Sequence, residues 1–293
     1  MTKKLRCYYL SVAGIGLKIE TEQKIKDTDV FSPFVVDELL PDYKVFFQQV
    51  PKLSLVLTEK IYEDRCYSVH STENTGYVKC FYEKYGDSVP YAVAEYDETK
   101  TTLCINYLEQ GRKYLCEFHN VFFHLDFEKL LINKNRFYLH ASCVETLCGG
   151  ILFSGPSGIG KSTQAALWEK YRDAKQINGD RPILQKDGQK WKAWGSPYAG
   201  SSKCHKNCCC SVSTIIVLQQ GEKCRLRRMP LLESFQMIWR GVTVHSWDKE
   251  FAENVCDLTM QLVKDVPVFE FVCTADEYAV EYLEQELRKE CVI

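Results

Sequence analysis

The spacing of hydrophobic and polar positions changes along this chain. Up to about residue 115, short runs rich in Val, Phe, Tyr and Thr alternate with polar turns, the pattern of half-buried strands. Residues 8–20 predict a strand pair around Gly14-Ile15-Gly16, and 44–50, 54–57, 77–82, 91–96 and 102–107 predict further strands. Residues 118–131 shift to helical spacing, with Phe122, Leu125, Phe127 and Leu130 among the apolar positions. Strand and helix then alternate. Residues 137–145 and 150–154 predict strands, 161–171 a helix and 176–178 a short strand. A hairpin follows, 183–186 with 190–194, over Asp187-Gly188. Residues 212–218 and 224–229 predict strands, 231–241 and 248–264 helices, and 268–272 a strand. Thr274-Ala275-Asp276-Glu277 reads as a capping box that opens a last helix. The pattern predicts a β-rich N-terminal domain over 1–115 and an α/β domain over 116–293.

Composition narrows the picture. The 293 residues, 45% hydrophobic and 13% aromatic, are enough to bury a sizeable core. A formal net charge of −2 supplies no bulk attraction to nucleic acid or to an anionic membrane. No run approaches the ~18 apolar residues of a membrane span. Lys3, Lys4 and Arg6 precede the uncharged stretch 7–17, a faint echo of a signal peptide, but that stretch is weakly apolar and alternates like a strand. Fifteen cysteines is an odd and high count. In a chain of this length that carries a nucleotide motif, it predicts free thiols in a reducing cytoplasm rather than a disulfide framework. Residues 1–115 show nothing catalytic and read as a domain for support or docking.

The chemistry concentrates after residue 137. Gly155-Pro156-Ser157-Gly158-Ile159-Gly160-Lys161-Ser162 fits the phosphate-loop pattern G-x-x-x-x-G-K-[ST] at every fixed position. An apolar run precedes it, and a helix-like run beginning at Thr163 follows. In such a loop glycines turn backbone N–H groups toward phosphate oxygens, the lysine neutralises charge and the hydroxyl binds Mg²⁺. The helix N-terminus adds free donors and a favourable dipole. Two neighbours bear on the reaction. His140 lies one strand and a hairpin before the loop, and Asp180 follows the next short strand, in Asn178-Gly179-Asp180-Arg181-Pro182. An acid at a strand end beside the loop can hold Mg²⁺ or take a proton from an attacking hydroxyl. A plain turn explains Asn-Gly-Asp equally well.

The ordered set of His140, the loop and Asp180 resembles the HPr serine kinase/phosphorylase family and its relatives with the phosphoenolpyruvate carboxykinase-like fold, lasso-peptide precursor kinases among them. The resemblance runs from residue 137 to the end. It implies a phosphate-loop domain of that fold, with ATP and Mg²⁺ as cofactors. Residues 155–163, Thr163 included, would cradle the nucleotide, Lys161 would contact the transferring phosphoryl and Ser162 would ligate Mg²⁺. Asp180 would serve as metal ligand or general base, with His140 tuning it. Two departures stand out. Gly179 occupies the first position of an acidic pair, and Ser196-Pro197-Tyr198 lacks the acid of a later Pro-Glu element. The expected activity is an ATP-dependent kinase that acts on a hydroxyl, most readily a serine of a peptide or small protein. Gly179 keeps open a nucleotide-binding regulatory protein without catalysis, and a small-molecule kinase is a third reading. The sequence leaves the oligomeric state open.

Other clusters carry less. Cys204-His205-Lys206-Asn207-Cys208-Cys209-Cys210 has no matching second ligand pair for zinc, and it reads better as thiols in a loop. Lys203, His205 and Lys206 in that loop could grip phosphate or an acidic peptide. Arg225, Arg227 and Arg228 read as a solvated basic face, and Trp191, Trp194, Trp239 and Trp247 as packing groups.

Overall fold

The computed structural model describes residues 5–26, 30–54, 59–72, 76–96 and 101–292. The chain divides into two compact units, Met1–Phe127 and Glu128–Ile293.

The first unit holds β1 (Arg6–Val12), β2 (Ile15–Thr21), β3 (Val35–Val36), β4 (Tyr43–Gln49), β5 (Lys60–Glu63), β6 (Tyr67–Ser71), β7 (Tyr77–Phe81), β8 (Ala92–Tyr96) and β9 (Thr102–Tyr107). They form one nine-stranded sheet in the order β3-β1-β2-β4-β9-β8-β7-β6-β5. β1 and β2 pair as a hairpin over Ala13-Gly14, both at positive φ (51° and 72°), the backbone a two-residue turn needs to match strand twist. β2 with β4 and β4 with β9 run parallel. In β4 the alternation is plain, with Tyr43, Val45 and Phe47 buried and Lys44 and Gln48 exposed. β5 and β6 were not anticipated. Both are short, β5 is largely exposed at the sheet edge, and β6 buries Ser68, Val69 and His70, so no apolar run announces them. The strand expected over 54–57 falls almost entirely outside the described residues.

The single helix expected over 118–131 is two short ones, α1 (Phe118–Phe123) and α2 (Phe127–Ile132). Asp126 breaks them, at φ 51°. Its buried carboxylate accepts a hydrogen bond from Tyr77 (2.6 Å) and pairs with Lys79 (2.6 Å), contacts a continuous helix would forgo. Beside the break, His124 is fully buried, its Nδ1 2.6 Å from the Asn120 carbonyl and its Nε2 2.9 Å from the Tyr91 hydroxyl. Nδ1–H therefore donates to the carbonyl while Nε2 accepts from Tyr91. Burial holds this imidazole down to about 4 against that bond.

The second unit carries β10 (Arg136–Tyr138), β11 (Ala141–Thr146), β12 (Gly149–Ser154), α3 (Lys161–Arg172), β13 (Lys175–Asn178), β14 (Ile183–Asp187), β15 (Lys190–Trp194), β16 (Cys209–Gln220), β17 (Arg225–Arg228), α4 (Leu231–Trp239), α5 (Lys249–Asp265), β18 (Val268–Cys273) and α6 (Glu277–Lys289). The sheet order is β10-β14-β15-β16-β12-β11-β13, and β18, flanked by β17, also pairs with β16. The unit is mixed α/β. β12, β16 and β18 run parallel, and their side chains alternate between two cores. Ile151, Phe153, Ile216, Leu218, Phe269 and Phe271 pack in the cluster that holds Trp168 of α3 and Val280 and Leu283 of α6. Leu152, Ile215, Val217 and Val268 pack in the cluster that holds Phe251, Val255 and Leu262 of α5. Helices on both faces explain why these strands are nearly continuous apolar runs.

Three expectations need correction here. The strand predicted over 137–145 is two, β10 and β11, because they join different neighbours, β14 and β12. His140 sits at the break between them. The last helix is capped by Asp276, whose carboxylate accepts from the Ala279 N–H, while Thr274 donates to that carboxylate instead of capping the helix itself. β16 is longer than the predicted 212–218, because its first residues pair with β15 before β18 joins its far half. All fifteen cysteines are free. Among the described residues no helix is long and apolar enough to cross a membrane.

Candidate functional site

The phosphate-loop motif lies where β12 ends and α3 begins. Gly155, Gly158 and Gly160 take φ of 139°, 80° and 111°, conformations open mainly to glycine, so the loop can wind tightly enough to present its backbone. Pro156, Ser157 and Gly158 are exposed, whereas Ile159 tucks against the core beneath α3. Thr163 is exposed on the first turn of the twelve-residue helix. Lys161 is buried, and its ammonium donates to the carbonyls of Gly155 (3.0 Å) and Pro156 (2.9 Å). Two of its three N–H donors thus span the loop, and the third remains for a phosphate oxygen.

His140 and Asp180 come together beside the loop. His140 Nε2 lies 3.3 Å from Asp180 Oδ1, both side chains about one-third exposed. Backbone contacts fix them. The Ala141 N–H donates to the Asp180 carbonyl (2.9 Å) and the His140 N–H to the Gly241 carbonyl (2.8 Å). The neighbouring Gly179 carbonyl accepts from Ser142 of β11 (2.8 Å) and from Ser162 of α3 (3.4 Å), which ties strand, loop helix and acid together. Burial lowers the His140 pKa, Lys161 and Arg181 push it the same way, and Asp180 alone opposes them. The contact with Asp180 would by itself favour imidazolium. Desolvation and two cations outweigh it, so the neutral ring is favoured. Burial also lowers Lys161, partly offset by Asp180. Lys161, His140 and Asp180 therefore share one electrostatic site.

Sequence reasoning missed four contributors. Arg181 lies with Nε 3.9 Å from Asp180 Oδ2 and its guanidinium 5.8 Å from the Tyr198 ring centre. Asn178, fully buried, accepts at Oδ1 from the backbone N–H groups of Asp180 (3.0 Å) and Arg181 (2.8 Å). The signal was present, because Asn-Gly-Asp is turn chemistry, and a turn of this kind uses the asparagine side chain. Gly200, at φ 58°, packs its backbone against Asp180, so a Cβ there would lie 2.8 Å from that of Asp180. Ser202 lies over Gly179, where a Cβ would meet its hydroxyl at 1.6 Å. Position 179 is thus closed to a side chain by volume.

Several of the remaining candidates make structural contacts. Ser196 is buried and donates to the Arg181 carbonyl (2.6 Å), and Tyr198 packs on Tyr138, so the segment that lacks the second acid is a packed support. Among the described residues, the ligand atoms of Cys204, His205, Cys208, Cys209 and Cys210 do not gather into a metal-sized group. Cys143 and Cys210 share a contact of 3.8 Å in the core, and that bond, with burial, holds the Cys143 thiol well above its ordinary range. Arg227 grips Glu233 through both terminal nitrogens (2.8 and 2.6 Å) and reaches Glu270 (3.2 Å). Arg225 and Arg228 also face acids, at 4.0 and 3.9 Å. Trp191 is buried with its N–H on Asp265, and Trp239 stacks on Phe235. Cavities of about 560 and 520 Å³ open in the first unit, and no candidate residue lines either.

No protein-family model matches the chain, and no curated protein matches it significantly. Among solved structures it is similar to the Hpr(Ser) kinase/phosphatase from Coxiella burnetii, at 16% identity and a TM-score of 0.32, over 53% of this chain and 97% of that one. A likeness this loose assigns neither residues nor activity.

Proposed function

We propose that the second unit is an ATP-dependent phosphotransferase that moves the γ-phosphoryl of ATP to a hydroxyl, most readily a serine of a peptide or small protein. One observation carries this reading. A Lys161 held across a glycine-rich loop shares its electrostatic site with a His140–Asp180 pair 3.3 Å apart. Phosphate binding alone needs no such pair. The ordered motifs whose resemblance implies a serine kinase point the same way.

In this reading the loop N–H groups and the free donor of Lys161 bind β- and γ-phosphate oxygens. The acceptor oxygen forms its bond to the γ-phosphorus as the bond to the β-bridging oxygen breaks. Its proton passes to the Asp180 carboxylate, and ADP leaves. Neutral His140 orients that carboxylate through its Nε2 contact. Ser162 and Asp180 are hard oxygen donors set on adjoining backbone, a set that suits Mg²⁺ and would hold it. Bound there, Mg²⁺ would neutralise phosphate charge.

The test is Mg²⁺–ATP turnover and labelling of candidate peptides by wild type, Lys161→Ala and Asp180→Ala. The alanine at 161 should weaken ATP binding. The alanine at 180 should keep binding and lose about 10²- to 10⁴-fold in rate, the usual weight of a general base. A wild type that binds ATP yet neither turns it over nor labels any peptide refutes transfer. That result would favour a nucleotide-binding regulatory protein, the reading that the closed position at Gly179 supports.

A further inference from the structure

Asn178 ends β13 inside the protein, with no solvent exposure. Its Oδ1 takes the N–H groups of Asp180 and Arg181 at 3.0 and 2.8 Å. Its Nδ2 gives to the Ser196 carbonyl at 3.1 Å and the Tyr198 carbonyl at 3.2 Å, with the Ser196 hydroxyl at 3.4 Å. Both donors and the acceptor are used, so the amide cannot be flipped or shortened without orphaning buried groups. Its backbone is held as well, paired with Cys143 of β11 and bridged to His205.

The two halves of the amide serve different parts of the molecule. The oxygen sets the turn that aims Asp180. The nitrogen holds the segment 196–198, which leads into the turn at Gly200 and Ser202 that packs on Asp180 and Gly179. Asp180 therefore lies between the Asn178 turn on one side and a segment tethered by the same amide on the other. His140, Lys161 and Arg181 are the charged or titratable groups around it. Any buried asparagine must have both ends satisfied, but here the oxygen closes on the two N–H groups at and beside the acid.

We propose that Asn178 is a positioning residue for the transfer, fixing the direction of the Asp180 carboxylate through the two N–H groups that its oxygen accepts. The proposal rests on the phosphotransferase reading. Its mechanism is geometric, because displacing a catalytic group by about 1 Å can cost on the order of 10²-fold in rate. Asn178 itself touches neither nucleotide nor acceptor.

The experiment compares wild type, Asn178→Ala and Asn178→Ser. A serine hydroxyl can accept the N–H two residues on, as turn serines do, but it restores neither donor to 196 and 198. Measured are kcat and KM for Mg²⁺–ATP turnover with water as acceptor, affinity for a fluorescent ATP analogue, melting temperature and amide exchange at residues 180 and 181. Asn178→Ala should lose about 10²-fold in kcat with analogue affinity within about twofold of wild type. Its amides at 180 and 181 should exchange at least about tenfold faster. Asn178→Ser should recover most of kcat while melting as low as the alanine variant. Rate tracking melting temperature in both variants, or an unchanged kcat in Asn178→Ala, overturns the proposal. A wild type that neither turns over ATP nor labels any candidate peptide refutes the phosphotransferase reading. The amide exchange then decides the geometry, and equal protection at 180 and 181 in Asn178→Ala overturns it.

Discussion

Placing a carboxylate at position 179 tests whether the site is built for one acid. Gly179 is buried, and an added Cβ would lie 1.6 Å from the Ser202 hydroxyl, 2.8 Å from its Cβ and 2.9 Å from the Ala199 carbonyl. The first two contacts belong to a side chain and the third to backbone, so no rotamer change clears all three. Overpacking of this kind costs about 1–3 kcal/mol. At about 2–4 °C per kcal/mol for a unit of this size, Gly179→Asp should lower the melting temperature by about 2–12 °C. Ser202→Gly removes the two side-chain contacts but leaves the carbonyl. It also loses the hydroxyl that donates to Ala199 (3.0 Å) and accepts from the Cys204 N–H (3.2 Å). The double variant should therefore recover only part of the loss. The assay is thermal unfolding of the four proteins in a double-mutant cycle, with Mg²⁺–ATP turnover alongside. A Gly179→Asp protein that melts with wild type and turns over ATP faster refutes the reasoning, since the turn at 200–202 would then be yielding rather than part of the site.

Acidification should destabilise the first unit through His124. Its folded value is held to about 4 while the unfolded chain titrates near 6.5. The unfolded state binds the extra proton, so stability rises with pH and is lost as pH falls from about 6.5 to about 4, by roughly 3 kcal/mol at full extent. Denaturant melts across that range should show the loss in wild type and not in His124→Gln, and equal slopes would refute it. Asp276→Ala removes the cap of α6 and should cost about 1 kcal/mol, read as a fall in melting temperature. Leu152→Ala empties a fully buried site in the core beneath α5 and should cost about 2–5 kcal/mol, measured by urea unfolding. Chelating Mg²⁺ should abolish ATP turnover and restore it on readdition, and turnover that persists in chelator refutes the Ser162–Asp180 metal assignment.

Much of the second unit was legible because its signals are local. Ile151 and Phe153 face one core and Leu152 the other, and the apolar run shows both at once. The glycines of the loop and the hairpin turn at Asp187-Gly188 are determined by backbone conformations that few residues share. Illegible features depend on partners distant in sequence. The break at Asp126 exists for Tyr77 and Lys79, and the break at His140 exists because β10 and β11 serve different neighbours. β5 and β6 carry too few buried apolar positions to announce themselves. At the site, the sequence named Lys161, His140 and Asp180 but passed over Arg181. It missed Asn178, Gly200 and Ser202, which act through position alone.

The two departures from the acidic pattern, Gly179 and Ser196-Pro197-Tyr198, look independent in the sequence. In the structure they are joined. The Asn178 amide binds the carbonyls of Ser196 and Tyr198, and the same stretch of chain continues to Ser202, which occupies the volume a side chain at 179 would need. The lack of a side chain at 179 makes room for that packing, and the packing in turn confines Asp180 between Gly200 and the Asn178 turn. An acid at 196–198 would have to displace either the buried Ser196 hydroxyl bonded to the Arg181 carbonyl or the Tyr198 ring packed on Tyr138. Placing an acid at one position without the other therefore leaves a conflict. A second acid would require the whole segment 196–202 to be rebuilt.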